Sequence, residues 1–424
     1  MKLSRGGRFS LALVVSVALG LGLTACGSAT VAYMWVLGTQ YNQIAGFKVD
    51  NYSGNLKAVV GSPFSSNGTN PTSIAVKPGG RYVYVVNKGV PASGTNAGTP
   101  GNIALFSVGG DGTLTFQQSY TSRGNTPVWD TVSSDGSFLY VLDSQYPDTP
   151  EFPNPNHLGS ITVFAIDQNT GRLQLVPNQQ VKDSNQTQLT FFPVGLAPTM
   201  MRVSGSCLFT IDTGDQTVYP YSVGANGQLT PTTTGTINTG GGNITSINTG
   251  LNYVWLTDAG ATADSPGGRI LPYTVGTGSS ACSLNVLTGG PVNNLPLTAN
   301  PVYSMMDNKG KTLYVLNRSS LDPNHNTSTI SAFTIDGTTG KLFPLGTGGG
   351  GTALPGNPYP IGSGPVCMVE DPTNQWAYTS NNIDATISGK RVDSNSGELR
   401  DLPRNSTFPT VGQPTCMAIS PAVN

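Results

Sequence analysis

Two strand-like phrases alternate along the chain seven times, and that alternation limits the fold more than any other feature. The first phrase ends in Asn or Asp in most copies: YMWVLG from Tyr33, YVYVVN from Tyr82, FLYVLD from Phe138, CLFTID from Cys207, NYVWLTD from Asn252, TLYVLN from Thr312 and WAYTSN from Trp376. The second follows each in turn: IAGFKVD, IALFSVG, ITVFAID, VYPYSVG, ILPYTVG, ISAFTID and ISGKRVD. A turn with Gly or Asn closes the pair, as in GDGTL, QNTGRL and SNSGEL, where these residues supply the positive φ of a tight hairpin. The fifth copy departs from this pattern with GTGSSACSL. A third strand-like stretch then leads to a phrase opened by proline: PTSIAV at Pro71, PVWDTV at Pro127, PTMMRV at Pro198, PVYSMM at Pro301, PVCMVE at Pro365 and PTCMAI at Pro414, with GNITSI in the fifth unit.

Each unit reads as four short strands, and units recur at roughly 45 to 65 residues, the spacing of β-propeller blades. The expected fold is all-β: one seven-bladed β-propeller over residues 31–424. Its blades have an innermost strand A (Pro-initiated), then B (YVYVVN-like), C and D. The phrase at Pro414 has no B phrase after it, and the B phrase at Val31 has no A phrase before it. The C-terminal strand A is therefore expected to join the N-terminal strands B, C and D in one blade, which removes two open sheet edges.

Residues 1–25 read as a signal segment. Lys2, Arg5 and Arg8 precede the apolar run FSLALVVSVALGLGL, which is too short to span a bilayer. The run ends in LTAC, and this resembles the lipobox of bacterial lipoproteins, in which the cysteine, here Cys26, is acylated and becomes the mature N-terminus. Residues 26–30 would be the lipidated tether, its partner the lipid bilayer, and the location extracytoplasmic, on a bacterial membrane. Loss of Lys2, Arg5 and Arg8 leaves 18 basic against 22 acidic residues, a net charge of −4. No basic stripe is present, which excludes a nucleic-acid partner. In a propeller, strand B of blade 1 starts at the bottom, the end of the A–B and C–D hairpins. A tether of about 16 Å, at ~3.3 Å per residue, would hold that end at the lipid.

The B–C connections lie on the opposite, top end, and several are long: KGVPASGTNAGTPGN in blade 2, SQYPDTPEFPNPNHLGS in blade 3, AGATADSPGG in blade 5 and RSSLDPNHNTST in blade 6. Long loops on one end of a rigid scaffold are where binding residues gather. Candidate top-face residues are Asp148, Glu151 and His157 in the blade 3 loop, His325 in the blade 6 loop, the aromatics Trp129, Tyr146 and Tyr303, and the charges Asp130 and Arg202 that interrupt apolar A strands. The two histidines sit on nearly opposite blades without close ligand spacing, so no metal is expected, and no cofactor motif is present. The Asn or Asp that ends each B strand is expected to cap backbone N–H groups of its own turn.

Four cysteines besides Cys26 allow three pairings. Cys367 and Cys416 each stand two residues after an A-strand proline in blades that adjoin at the closure. Cys207 opens strand B of blade 4, and Cys282 lies in the irregular hairpin of blade 5. The pairs expected are Cys207–Cys282 and Cys367–Cys416.

The wording PTSIAVKPGGRYVYVVN, IDQNTGRLQLV and VDSNSGELRDL resembles the seven-bladed lactonase family, typified by 6-phosphogluconolactonase, and the related YVTN propellers of cell surfaces. The resemblance spans nearly all of residues 31–424 and implies the propeller fold. For activity it implies lactone hydrolysis with a histidine after the A-strand proline. That position holds Thr72, Val128, Thr199, Val302, Val366 and Thr415 here, so the resemblance carries over no site residue. Two functions are thus expected: a monomeric membrane-anchored scaffold that binds a protein, glycan or small ligand through its top loops, or a lactonase-like hydrolase with a site in the central funnel.

Overall fold

The B phrases are apolar without alternation because both their faces are covered: Tyr82–Asn87, Phe138–Asp143 and Cys207–Asp212 are buried at nearly every position. A computed structural model of the chain describes residues 29–93, 97–232, 235–294, 299–318, 328–346 and 356–422. It forms seven antiparallel sheets, each in the order A, B, C, D, with no α-helix among the described residues. Blade 2, for example, runs Pro71–Val76, Tyr82–Asn87, Asn102–Val108 and Leu114–Tyr120. In the other blades the outer strand is broken into two short pieces on the same C strand, as Leu56–Ala58 and Phe64–Ser65 are in blade 1. The A strands neighbour one another all the way round. Pro414–Pro421 pairs antiparallel with Thr30–Gly38, with Trp35 opposite Ala418, so the two ends of the chain share blade 1.

Every A strand starts with a bulge. The register slips one residue after the leading residue, between Pro71 and Ser73 in blade 2 and between Pro365 and Cys367 in blade 7. The bulged residue is the one after proline. In two blades a threonine hydroxyl at this place reaches the next blade: Thr415 Oγ1 donates to the Pro71 carbonyl at 3.1 Å and Thr245 Oγ1, which follows Ile244, to the Pro301 carbonyl at 2.9 Å.

A second repeated contact locks blade to blade. The third residue of strand B donates from its ring to the hairpin glycine carbonyl of the next blade: Trp35 to Gly112 (3.1 Å), Tyr84 to Gly171 (2.8 Å), Trp255 to Gly340 (3.3 Å), Tyr314 to Gly397 (2.8 Å) and Tyr378 to Gly54 (2.6 Å). The glycines are required twice over. At Gly171 and Gly340 φ is 68° and 70°, and a Cβ would run into the ring of Tyr82 or Tyr253. Blade 5 lacks this glycine, and there Cys282 bonds to Cys207 of blade 4.

Four of the B-strand Asn and Asp residues hold the incoming D–A connection: Asn87 Nδ2 donates to the Ser66 carbonyl, Asp143 Oδ1 accepts from Ser122 Oγ at 2.6 Å, Asp258 accepts from the Asn243 amide at 2.8 Å, and Asn317 Oδ1 accepts from Asn294 Nδ2 at 2.7 Å. Asp258 also makes the expected cap on its own turn, accepting from the Gly260 amide at 2.9 Å, while Asn381 Nδ2 donates to the Thr386 and Ser388 hydroxyls of strand C.

Candidate active site in the central channel

Four A strands contribute polar or aromatic side chains, each two to four residues after the strand's proline, to one cavity. Trp129 and Asp130 come from Pro127–Val132 of blade 3, Arg202 from Pro198–Ser204 of blade 4, Tyr303 from Asn300–Met306 of blade 6, and Cys416 from Pro414–Pro421 of blade 1. Together they line a cavity of about 290 Å³. The cavity wall continues through Val76 to the exposed residues Pro78 and Ser134 in the A–B hairpins. It therefore opens at the bottom of the propeller. This corrects the expectation that Trp129, Asp130, Arg202 and Tyr303 serve the top face: they stand on channel strands, and the mouth they share is at the other end.

Arg202 spans the channel. Its guanidinium lies 5.1 Å from the Trp129 ring centroid and 5.8 Å from that of Tyr303, and it donates to Tyr303 Oη at 2.9 Å. Among the described residues it forms no ion pair. Asp130 is 4 % exposed. Its Oδ1 accepts from Ser73 Oγ of blade 2 at 2.5 Å, while its Oδ2 makes no hydrogen bond within the protein. Burial pushes the Asp130 carboxyl up to about 7, against the hydrogen bond from Ser73. Trp129 Nε1 is a second buried group on this wall with no partner in the protein. An unmatched acceptor, an unmatched donor and an unpaired cation on one wall form an arrangement that a polar ligand completes.

Cys367 adjoins the same wall. Its Sγ lies 3.3 Å from Cys416 Sγ and accepts from the Met417 amide at 3.4 Å. Both cysteines are free thiols here, so the disulfide expected between them is not formed: the two strands place the sulfurs in van der Waals contact rather than at bonding distance. The other expected pair, Cys207–Cys282, is bonded.

The blade 3 loop spends its side chains on itself. Tyr146 is buried and packs on Phe152 and Phe191, with ring centroids 5.4 and 5.1 Å away, over Leu189 and Leu158. Asp148 accepts from the Asn154 amide at 2.7 Å, and the Glu151 carbonyl accepts from the Ser184 amide. His157 is exposed, with a left-handed φ of 54°. These residues do not converge on a common point. Cys26 and His325 lie outside the described residues, and among those described no three His, Cys, Asp or Glu side chains are placed to hold a metal ion. Ser73 and Cys416 belong to the site but carry no sequence signal beyond their place two residues after a proline.

Residues 28–185 match the family model described as lactonase, 7-bladed beta-propeller. No curated protein sequence matches the chain. Among solved structures, the periplasmic gluconolactonase PpgL of Pseudomonas aeruginosa superposes with a TM-score of 0.64 at 17 % identity, covering 92 % of this chain and 99 % of its own. A Lactobacillus plantarum protein gives 0.65 at 18 % identity over 92 % of this chain and 100 % of its own. A Bacteroides fragilis protein described as a candidate 6-phosphogluconolactonase gives 0.65 at 17 % identity over 93 % and 99 %. The chain is a seven-bladed β-propeller, similar in sequence to the lactonase propeller family over residues 28–185 and in fold to these solved structures over nearly its whole length.

Proposed function

We propose that the chain hydrolyses small lactones in the channel cavity, with Asp130 as general base and Arg202 as the group that stabilises the oxyanion. The observation that carries this reading is the state of Asp130. One oxygen is fixed by Ser73, the other is buried without a partner in the protein, and the residue lines a cavity that also holds an unpaired guanidinium. A carboxyl near 7 is matched to proton transfer at neutral pH. Asp130 takes a proton from water as the water oxygen bonds to the lactone carbonyl carbon. The tetrahedral oxyanion is held against Arg202. The ring C–O bond then breaks, and the departing alkoxide takes the proton back from Asp130, leaving a hydroxy acid. The lactonase family match and the gluconolactonase among the structural relatives support this chemistry over a pure binding scaffold. Tyr146, a candidate top-face aromatic, packs inward on Phe152 and Phe191 instead of facing a partner.

Glucono-1,5-lactone and a panel of other small lactones, followed with a pH indicator, test the assignment. Turnover above the uncatalysed rate is expected, falling on the order of 100-fold in Asp130→Asn and in Arg202→Met. Hydrolysis of no lactone in the panel by the folded protein would sink it.

We further infer that Cys26 is acylated and anchors the propeller bottom-first. The carbonyl of Ala29 accepts from the Asn51 amide at 2.9 Å, so the chain enters beside a C–D hairpin, at the end where the cavity opens. Growth with an alkyne fatty acid should label the chain and not its Cys26→Ala variant; an unlabelled wild-type chain would count against the anchor.

A further inference from the structure

We propose that Cys367 and Cys416 form a redox-active dithiol that exchanges with a low-molecular-weight disulfide entering through the channel cavity, and that oxidation bolts blade 7 to blade 1. The two sulfurs are 3.3 Å apart, on the innermost strands of blades 7 and 1, and the second of these strands closes the ring by pairing with Thr30–Gly38. Forming a bond needs a closure of about 1.3 Å, since S–S bonds are ~2.05 Å. Both side chains are buried, but Cys416 faces the cavity, so a small disulfide meets its sulfur first. The hydrogen bond from Cys416, opposed by burial and aided by the Met417 amide and Tyr303, favours the thiolate at Cys367 and holds the remaining proton on Cys416.

The exchange balances in two steps. The Cys416 proton passes to Cys367, and the Cys416 thiolate attacks the disulfide RSSR, forming a mixed disulfide and releasing RS⁻. Cys367 then gives up its proton and attacks Cys416 Sγ, which releases the second RS⁻. The two protein thiols are oxidised and RSSR is reduced to two RSH; one thiol proton goes to water when Cys367 ionises and the other when it attacks, and two protons return from water to the leaving groups. The closed loop of 49 residues loses chain entropy when unfolded, so the oxidised ring is the more stable. Cys207–Cys282, which faces no cavity of this kind, is a permanent staple by comparison.

The test uses the full mature chain, first reduced under mild conditions, and hydroxyethyl disulfide as the probe, with peptide mapping after alkylation in denaturant. The expected result is a joined Cys367–Cys416 peptide pair and a thermal midpoint raised by roughly 3–6 °C, both reversed by dithiothreitol. In Cys367→Ala the reaction should stop at a hydroxyethyl adduct on Cys416, with Cys367→Ser as the substitute if the alanine variant does not fold. Recovery of both wild-type cysteines as free thiols, or only as separate adducts, would overturn the proposal.

Discussion

Cys207 and Cys282 occupy the two places that an aromatic ring and a hairpin glycine hold in the neighbouring blades. Cys207 opens strand B, as Tyr82, Phe138 and Tyr253 do. Cys282 has the left-handed φ of 65° that Gly171 and Gly227 show at the equivalent turn. The covalent bond therefore replaces a packing lock at the one interface where the hairpin is irregular. Its removal by Cys207→Ser with Cys282→Ser takes away a cross-link over 75 residues, worth about 4 kcal/mol by chain entropy. Denaturant unfolding should show that loss. A change below ~1 kcal/mol would mean the other six interfaces dominate the opening of the ring.

The ring of B-strand donors makes a sharper contrast between two tyrosines. Tyr314 and Tyr140 stand at equivalent places and are equally buried, yet Tyr314 Oη donates to the Gly397 carbonyl while Tyr140 Oη makes no hydrogen bond. Tyr314→Phe should cost ~1–2 kcal/mol by leaving a buried carbonyl unmatched, and Tyr140→Phe should be neutral or stabilising. Equal effects of the two substitutions in thermal unfolding would contradict the assignment.

The legible part of this molecule was its repeat, because tight hairpins need glycine and doubly covered strands need unbroken apolar runs. The site was legible only as separate residues. Asp130 and Arg202 stood out because they interrupt apolar strands, but their approach to Tyr303 depends on which blades face each other across the ring and on the bulge after each proline. No local pattern encodes those. Loop length pointed to the top end, whereas the cavity that these residues line opens at the bottom, and a long loop can bury its own aromatics, as the blade 3 loop does with Tyr146 and Phe152.

Stability should fall as pH rises from about 4 to 7. Burial pushes Asp130, Asp143 and Glu370 up to about 7. Below the unfolded value of about 4 both states hold the proton; between there and about 7 only the folded chain does. The stability these groups contribute is therefore present at acid pH and lost as pH rises through about 7. Asp50, Asp135 and Asp393, held below the ordinary range by hydrogen bonds in their turns, act in the other direction and lose their contribution as pH falls. The maximum is expected at mildly acid pH. Asp143→Asn, which installs the residue that Asn87, Asn317 and Asn381 already hold at this place, should flatten the slope between about pH 4 and 7. A midpoint that rises over that interval would be inconsistent with protonated buried carboxyls.

Closure of the ring by Pro414–Pro421 makes a prediction about chain order. Without that strand, Thr30–Gly38 would carry an open edge and the A strands of blades 7 and 2 would each lose a neighbour. A chain stopped at residue 413 should lose cooperative melting and aggregate. The discriminating variant is a circular permutant that starts at residue 410, runs through the C-terminal strand, and joins by a short glycine-serine linker to residue 29. Ala422 already donates from its amide to the Val31 carbonyl, so the two ends to be joined lie side by side. In the permutant, strand A of blade 1 precedes strand B as it does in every other blade. It should melt within a few degrees of the native chain, because the same sheets form and only one connection moves. If the permutant fails to fold while the native order folds, then closure from the two ends is a kinetic requirement and not only the final arrangement of the ring.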